Sequence, residues 1–132
     1  MKRKIFSVLF AVVLVLSLSL VTAVPVQAAT INVPADYATI QAAVNAANPG
    51  DTIIVAAGTY SGTGGKKLLQ NDVVLIDKDN LTLNGANAGV SPITGTRGDE
   101  SIIDAAGLLE AVGVSANNVT IDGFTIKGDD TF

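Results

Sequence analysis

Two aspartates separated by one lysine are the first candidates for chemistry in this chain. Asp77 and Asp79 flank Lys78, and paired carboxylates can bind calcium or act as a general acid and base. Calcium takes about six to eight oxygen ligands, so two carboxylates are only the beginning of a site. A solvated corner is therefore the favoured interpretation of this pair, and also of Asp129 and Asp130.

A second group of charged residues lies in a segment rich in glycine, alanine, serine, threonine and asparagine. Residues 86–100 have no apolar periodicity and contain Arg97, Asp99 and Glu100. Long loops on rigid scaffolds often carry binding groups, but mixed charge is also ordinary on a surface loop. Both interpretations stay open, a binding loop and a solvated loop, and we favour the second.

Two further features relate to carbohydrate. Tyr60 could offer a flat face to a sugar ring, although closure of the first turn against a helix is the more ordinary role for such a tyrosine. The tripeptides Asn-Leu-Thr at 80–82 and Asn-Val-Thr at 118–120 both satisfy the N-x-[ST] rule for glycosylation. Because both lie at the start of strands that we expect to be packed, we expect neither asparagine to carry a glycan.

Histidine and cysteine are absent from all 132 residues. Their absence removes Ser-His and Cys-His hydrolytic centres, disulfides and thiolate metal sites from this chain. We assign no catalytic, cofactor-binding or metal-binding residue from the sequence. We also expect no cofactor, because a calcium site would lack a complete ligand set.

The first residues have the order of a secretory signal. Three basic residues at 2–4 precede an apolar run over residues 5–16, and small residues follow near Ala28. We expect cleavage after Ala28 and a secreted protein, extracellular or at the cell surface. An uncleaved membrane anchor is the alternative, since the uncharged stretch is long enough to span a bilayer, but Pro25 would break such a helix.

Removal of residues 1–28 would leave an acidic chain. The full sequence has 8 Lys or Arg and 12 Asp or Glu, a net charge of −4, and the signal segment holds three of the basic residues and none of the acidic ones. Residues 29–132 would therefore carry a formal charge of −7. This charge argues against nucleic acid and anionic lipid as partners.

The architecture is indicated by a block that occurs twice. Its copies run over residues 74–85 and 112–123, at a constant offset of 38, and share the pattern V-x-[IV]-x-x-x-N-[LV]-T-[LI]-[ND]-G. A repeated unit with two short apolar alternations and a closing glycine predicts a stack of turns. Asn80 and Asn118 would then lie one above the other at a corner.

The repeat spacing also predicts the length of a turn. If residues 86–100 are a loop inserted into one turn, the offset of 38 falls to 23 residues per turn, which is within the roughly 20 to 45 of stacked repeats. A similar spacing counted back from Val74 places the beginning of the first turn near Ile53.

One helix and several short strands are predicted around this repeat. The helix covers the apolar positions between Ile40 and Ala47, is capped by Asp36 or Thr39 and ends before Pro49. Short apolar runs divided by Gly, Asn, Asp and Ser predict strands at 52–57, 73–76, 81–83, 102–103, 112–114, 119–121 and 124–126. No helical pattern lies between these strands, which excludes a doubly wound fold and favours a coil of parallel strands.

These residues resemble the right-handed parallel β-helix proteins of the pectin-lyase-like superfamily. The resemblance rests on residues 39–44, residues 51–55, the Gly-Thr-Tyr turn at 58–60 and the repeated N-[LV]-T-[LI]-[ND]-G. It implies an all-β fold, a right-handed parallel β-helix (solenoid) with a short N-terminal capping α-helix after a signal peptide. Pectate lyases, pectinesterases, polysaccharide depolymerases, surface adhesins and periplasmic copper-maturation proteins share this fold. No segment here matches the catalytic arrangements of the lyases or esterases, so no catalytic residue is carried over.

The predicted organisation has three parts. Residues 1–28 are the signal peptide, residues 29–50 a cap with the helix, and residues 51–132 the first turns of a β-helix interrupted by the loop at 86–100. No cap follows the last predicted strand at 124–126. We therefore expect the front part of a longer β-helix, or else closure on a partner or by end-to-end self-association.

Two functions from different classes follow from this organisation. The first is a secreted parallel β-helix repeat protein, a carbohydrate-interacting or surface and structural module with no complete active site in this segment. The alternative is the N-terminal part of an extracellular polysaccharide lyase, hydrolase or esterase of the pectin-lyase-like superfamily. The absence of a visible catalytic constellation in the sequence favours the first.

Overall fold

The computed structural model describes Ile5 and residues 27–62, 64–67 and 70–128. The predicted signal peptide at 1–28 lies outside the described residues apart from Ile5, Gln27 and Ala28, and Asp129 and Asp130 lie outside them altogether. No helix in the described part of the chain is both long and apolar enough to cross a bilayer. The described elements of residues 27–128 are β1 Thr30–Val33, α1 Ile40–Ala46, β2 Thr52–Val55, β3 Gly58–Tyr60, β4 Gly65–Lys67, β5 Gln70–Ile76, β6 Thr82–Asn84, β7 Ser101–Asp104, β8 Glu110–Val114, β9 Thr120–Asp122 and β10 Phe124–Lys127.

The strands form three sheets whose neighbours come from successive turns of the chain. Sheet A has the order β1-β2-β6-β9, sheet B the order β3-β7-β10, and sheet C the order β4-β5-β8. Every neighbouring pair is parallel except β4 and β5, which are antiparallel. Parallel pairing that repeats in this cyclic order is the topology of a β-solenoid. The predicted all-β parallel solenoid with a short N-terminal helix is confirmed.

The strand registers confirm two of the predicted spacings. Val74 pairs with Val112, and Leu83 pairs with Ile121, both at the offset of 38. The chain between β7 and β10, two neighbouring strands of sheet B, does not include residues 86–100. Across these two strands Ser101 pairs with Phe124, at an offset of 23. The turn length obtained by subtracting the loop is therefore the length of an uninterrupted turn.

The predicted start of the first turn is wrong. Ile53 pairs with Leu83, at an offset of 30, and not with Val74. Val74 belongs to sheet C, whereas Ile53 lies in sheet A. Two apolar runs alone do not reveal which sheet each one joins, and the antiparallel β4–β5 pair makes this turn longer than an uninterrupted one.

The core consists of aliphatic columns that run along the stack. In sheet A, Ile31, Ile53, Leu83 and Ile121 occupy one register position in four successive strands. Ile53 and Leu83 are completely buried, and Ile121 at the last strand packs partly buried against the core. Full burial of a side chain of this size contributes about 1.5–3 kcal/mol, so these columns supply much of the driving force for stacking.

Helix α1 covers the first strands of the stack. Thr39 is its N-cap, since its side chain accepts a hydrogen bond from the backbone N–H of Ala42 at 3.1 Å. The buried face of α1, formed by Ile40, Ala43 and Val44, joins the apolar core. The helix contacts β1, β2 and β5. These contacts make α1 a cap on one end of the solenoid, the role expected of it from the sequence.

Gln41 of α1 replaces a missing neighbouring strand. Its Oε1 accepts a hydrogen bond from Leu75 N at 2.6 Å, and its Nε2 donates to Leu75 O at 3.1 Å. A second bond from Nε2 reaches Asn45 Oδ1 at 2.9 Å. The side-chain amide therefore satisfies both backbone groups of a residue of β5 that lies beyond the stretch paired with β4, as a peptide of a further strand would.

We expect Ile121→Asp to destabilise the fold by about 2 kcal/mol or more, because it places a charge in the inner column of sheet A. The matched control is Thr120→Asp, which adds the same charge at the neighbouring exposed position. Urea unfolding of both variants and the parent measures the difference. A larger loss for Thr120→Asp than for Ile121→Asp would show that the inner and outer faces of β9 have been assigned the wrong way round.

We expect Gln41→Leu to lower the unfolding free energy by about 1–3 kcal/mol, because the N–H and C=O of Leu75 lose their partners in a partly buried position. Asn45→Ala is the control, since it removes only the additional bond from Gln41 Nε2. Chemical denaturation compares the variants. A loss no larger for Gln41→Leu than for Asn45→Ala would mean that the cap depends on apolar packing alone.

Candidate functional site

The corner predicted from the repeated asparagines is present. Asn118 Nδ2 donates to Asn80 Oδ1 at 2.9 Å, so the two side chains stack between successive turns. Asn80 and Asn118 have φ angles of 58° and 54°, and Gly50, one strand earlier in the same register, has 96°. The left-handed conformation is tolerated best by glycine and asparagine. These residue types are therefore explained by the bend of the backbone as well as by the side-chain ladder.

Asp77 and Asp79 have separate partners. Asp77 lies 3.1 Å from Lys78 Nζ, whereas Asp79 Oδ1 accepts hydrogen bonds from Asn117 N at 2.7 Å and Asn117 Nδ2 at 3.3 Å. Both aspartates are exposed, as a solvated corner requires. Asp79 therefore links one turn to the next. Within the described residues, no three His, Cys, Asp or Glu side chains are grouped so that they could hold a metal ion.

The two glycosylation tripeptides lie at this corner. Asn80 and Asn118 are exposed, while Leu81 between the first asparagine and its threonine is completely buried. The amide of Asn118 already donates to Asn80. That neither asparagine carries a glycan stays a prediction.

Residues 86–100, between β6 and β7, form a loop that is fixed by its own hydrogen bonds. The side chain of Asn87 is 3% exposed; its Oδ1 accepts from Gly98 N at 2.9 Å and its Nδ2 donates to Asp99 O at 3.1 Å. At the surface of sheet A, Asp122 Oδ2 accepts from Gly89 N at 2.7 Å. The loop is therefore anchored to the solenoid on one side and closed across its base by Asn87.

Two of the three charged residues of this loop bind each other. Arg97 Nε and Nη2 donate to the two carboxylate oxygens of Glu100, each at 2.8 Å, and Thr125 of β10 donates to Glu100 Oε2 at 3.0 Å. The hydrogen bonds from Arg97 lower the pKa of Glu100 to about 2, and the same pair raises the pKa of Arg97. Asp99 is exposed and contributes its backbone oxygen to Asn87. Glu100 therefore joins the loop to sheet B through Thr125, and Arg97 fixes the Glu100 carboxylate within the loop.

Two buried carboxylates were not singled out by the sequence. Asp51 is 2% exposed and accepts hydrogen bonds from Ala29 N at 2.7 Å and Asn48 N at 2.8 Å, which lower its pKa. Asp72 is completely buried beside Gly113, with no hydrogen-bond partner among the described residues. An aspartate that follows Pro-Gly and precedes a strand was the available signal for Asp51. Asp72 lies within a strand, and its neighbours in the sequence give no such signal that it is buried.

The outer face of sheet A carries a column of threonines that was not predicted from the sequence. Thr30, Thr52, Thr82 and Thr120 pair in register across all four strands. Neighbouring positions along these strands belong to the buried aliphatic column, so the pleat directs the threonines outward. The recurrent Thr of the N-[LV]-T pattern was the signal for two of the four. The spacing of adjacent strands places one hydroxyl about every 4.8 Å along the stack.

A cavity of about 300 Å³ lies where β3 and the following residues approach α1. Its apolar surface comes from Ile40, Val73 and Val74, and the hydroxyl-bearing Thr39, Thr59 and Ser61 also line it. Tyr60 is half-buried and lines the same cavity. Its hydroxyl donates to Ala56 O at 3.0 Å, and burial raises its pKa. Tyr60 therefore lines a cavity shared with α1 and packs against the core. Contact between its ring and a sugar stays a prediction.

Comparison with protein-family models, curated proteins and solved structures finds no match to this chain. The fold alone therefore defines its class, a parallel β-solenoid with one capped end.

We expect stability to decrease in acid, because the pKa values of Asp51 and Glu100 are lowered in the fold. A carboxylate of this kind stabilises the fold above its unfolded pKa, and the contribution disappears as the pH falls through the folded value. For Glu100 the window runs from its ordinary value of 4.5 down to about 2.

Asp51→Asn tests the contribution of the buried carboxylate. Near neutral pH this variant should be less stable than the parent, and the difference should shrink as the pH falls. Urea midpoints measured from about pH 7 to about pH 2 give both curves, with Asp99→Asn as the control for loss of one charge at an exposed position. A difference between parent and Asp51→Asn that stayed constant over this range would rule out the assigned role of Asp51.

Proposed function

We propose that this chain is a secreted, non-catalytic β-solenoid module of the pectin-lyase-like type that interacts with carbohydrate at the cell surface or in the extracellular matrix. The basic, apolar and small-residue order of residues 1–28 supports secretion. The repeated N-[LV]-T-[LI]-[ND]-G on a parallel solenoid supports the superfamily.

The main support for the proposal is the outer face of sheet A. Four threonines in register form a continuous row of hydroxyls across β1, β2, β6 and β9. Each hydroxyl can donate one hydrogen bond and accept two, which suits the hydroxyl-rich edge of a polysaccharide. An extended polymer could repeat the same contact from strand to strand because the threonines are in register and neighbouring strands have a constant spacing.

The bonding of the charged side chains supports a non-catalytic role. General acid–base catalysis needs a group that can reach the substrate and exchange a proton with it. Arg97 and Glu100 are bound to each other, and Asp79 accepts bonds from Asn117 across the corner. These residues therefore serve the fold.

Binding is tested with the full chain in a pull-down on insoluble polysaccharides. We expect the parent to be retained and the double variant Thr82→Val, Thr120→Val to be released, since valine keeps the shape of threonine and removes the hydroxyl. The control is Thr94→Val, an exposed threonine of the loop at 86–100. Equal retention of the double variant and the parent would show that the threonine row takes no part in binding.

Catalysis is tested on polygalacturonate and on neutral glycans by release of reducing ends, unsaturated products and methanol. We expect none above the level of heat-unfolded protein. Turnover that Arg97→Ala abolishes would instead identify an extracellular lyase, hydrolase or esterase and overturn the non-catalytic proposal.

A further inference from the structure

We propose that the cavity beside Tyr60 binds a single ring of a neutral sugar. This inference rests on the proposed carbohydrate role but places a second, half-enclosed site away from the threonine row. The site is defined by the ring of Tyr60, an apolar surface and a set of hydroxyls.

The size and lining of the cavity suit one small ligand. Its volume of about 300 Å³ lies at the lower end of the range for small-molecule sites. Ile40, Val73 and Val74 are almost completely buried and present an apolar surface. A sugar ring has an apolar face of C–H groups, which can lie on these side chains and on the aromatic ring of Tyr60.

Hydroxyl groups at the cavity can recognise the edge of the sugar. Thr59 and Ser61 are exposed. Thr39 Oγ1 accepts a bond from Ala42 N, which leaves its own hydrogen available to donate. The polar atoms of Gln41, by contrast, are engaged with Leu75. A ligand with several hydroxyls on one edge matches this arrangement better than a purely apolar one.

The charge of the cavity selects neutral sugars over uronic acids. None of the described residues that line it is charged. The chain as a whole has a net charge of −4. A carboxylate brought into a half-enclosed site with no cationic partner among the described lining residues would lose hydration without compensation from them, and the net negative charge of the chain would oppose its approach.

The cavity is shaped in advance by two fixed contacts. The hydrogen bond from the Tyr60 hydroxyl to Ala56 O restrains the ring. At the other side, the backbone of Gly64 approaches α1 so closely that a Cβ there would collide with the carbonyl of Val73 and lie 2.7 Å from Gln41 Cβ. Ligand binding would therefore require little reorganisation of the backbone.

The test is an NMR titration of the full chain with glucose, galactose, mannose and galacturonate, each as the free monosaccharide. We expect at least one neutral sugar to shift resonances of Tyr60 and Ser61, and galacturonate to shift neither. Tyr60→Leu should weaken the affinity by about tenfold or more, since it removes the aromatic surface. Tyr60→Phe should keep most of it.

Matched variants separate binding from folding. Tyr37→Leu changes a tyrosine that is 38% exposed and does not line the cavity, and should leave the affinity unchanged. Ser61→Ala alters an exposed residue, so it should fold normally and weaken binding by about fivefold. Sugar binding that Ser61→Ala and Tyr60→Leu both leave intact would overturn the site.

The outcomes also separate this inference from the proposed function. Polysaccharide retention without binding of any neutral monosaccharide overturns the cavity site and leaves the threonine row as the carbohydrate surface. Monosaccharide binding that depends on Tyr60, without retention on polysaccharides, supports the cavity site and shows that the threonine row does not bind polysaccharide. Failure of both overturns the carbohydrate role altogether.

Discussion

In-register stacking of parallel strands is the constraint on which the rest of this structure depends. The column of Ile31, Ile53, Leu83 and Ile121 forms only if each turn returns the chain to the same register position. A shift of one residue in any strand would turn the aliphatic side chains outward and the threonines inward. The corners therefore have to be as well defined as the strands. Asn80 and Asn118 meet this requirement by combining a left-handed backbone with a hydrogen bond from one turn to the next.

The same stacking makes the two ends of the described solenoid different. At one end, α1 covers the core, and Gln41 supplies the backbone of Leu75 with the partners that a further strand would have given. At the other end, the aliphatic columns reach the surface, where Val114 is 43% exposed and Ile126 54% exposed. Local stability depends on buried contacts and protected backbone bonds. The end covered by α1 is therefore the better protected of the two.

Features with a short-range or repeated cause could be predicted from the sequence. The offset of 38, the length of an uninterrupted turn and the stacked asparagines all follow from one repeated block, because identical local patterns occupy equivalent positions in a stack. Thr39 could be predicted as one of two caps because the signal is local. Ile121 could be assigned to the inside because alternation fixes the two faces of a strand.

Features that depend on distant pairing could not be predicted in this way. Nothing local shows that Ile53 pairs with Leu83 rather than Val74, since both are apolar residues in short runs. The pairing of β1 with β2 across α1 could not be predicted for the same reason. The candidate sites were harder still. Tyr60 could be named as an aromatic of interest, but the cavity exists only once β3, α1 and β5 are brought together.

The position of this cavity follows from how the turns differ in length. The uninterrupted turn from Ser101 to Phe124 has no excess chain from which to build a pocket. Two turns are longer, one through the β4–β5 pair and one through residues 86–100. The loop at 86–100 uses its polar groups on itself and on the solenoid, through Asn87 and the Arg97–Glu100 pair. By contrast, β3 and the residue after it place the hydroxyls of Thr59 and Ser61 and the ring of Tyr60 around a cavity. On a repetitive scaffold, binding groups collect where the repeat is interrupted, and the interruption beside Tyr60 borders such a cavity.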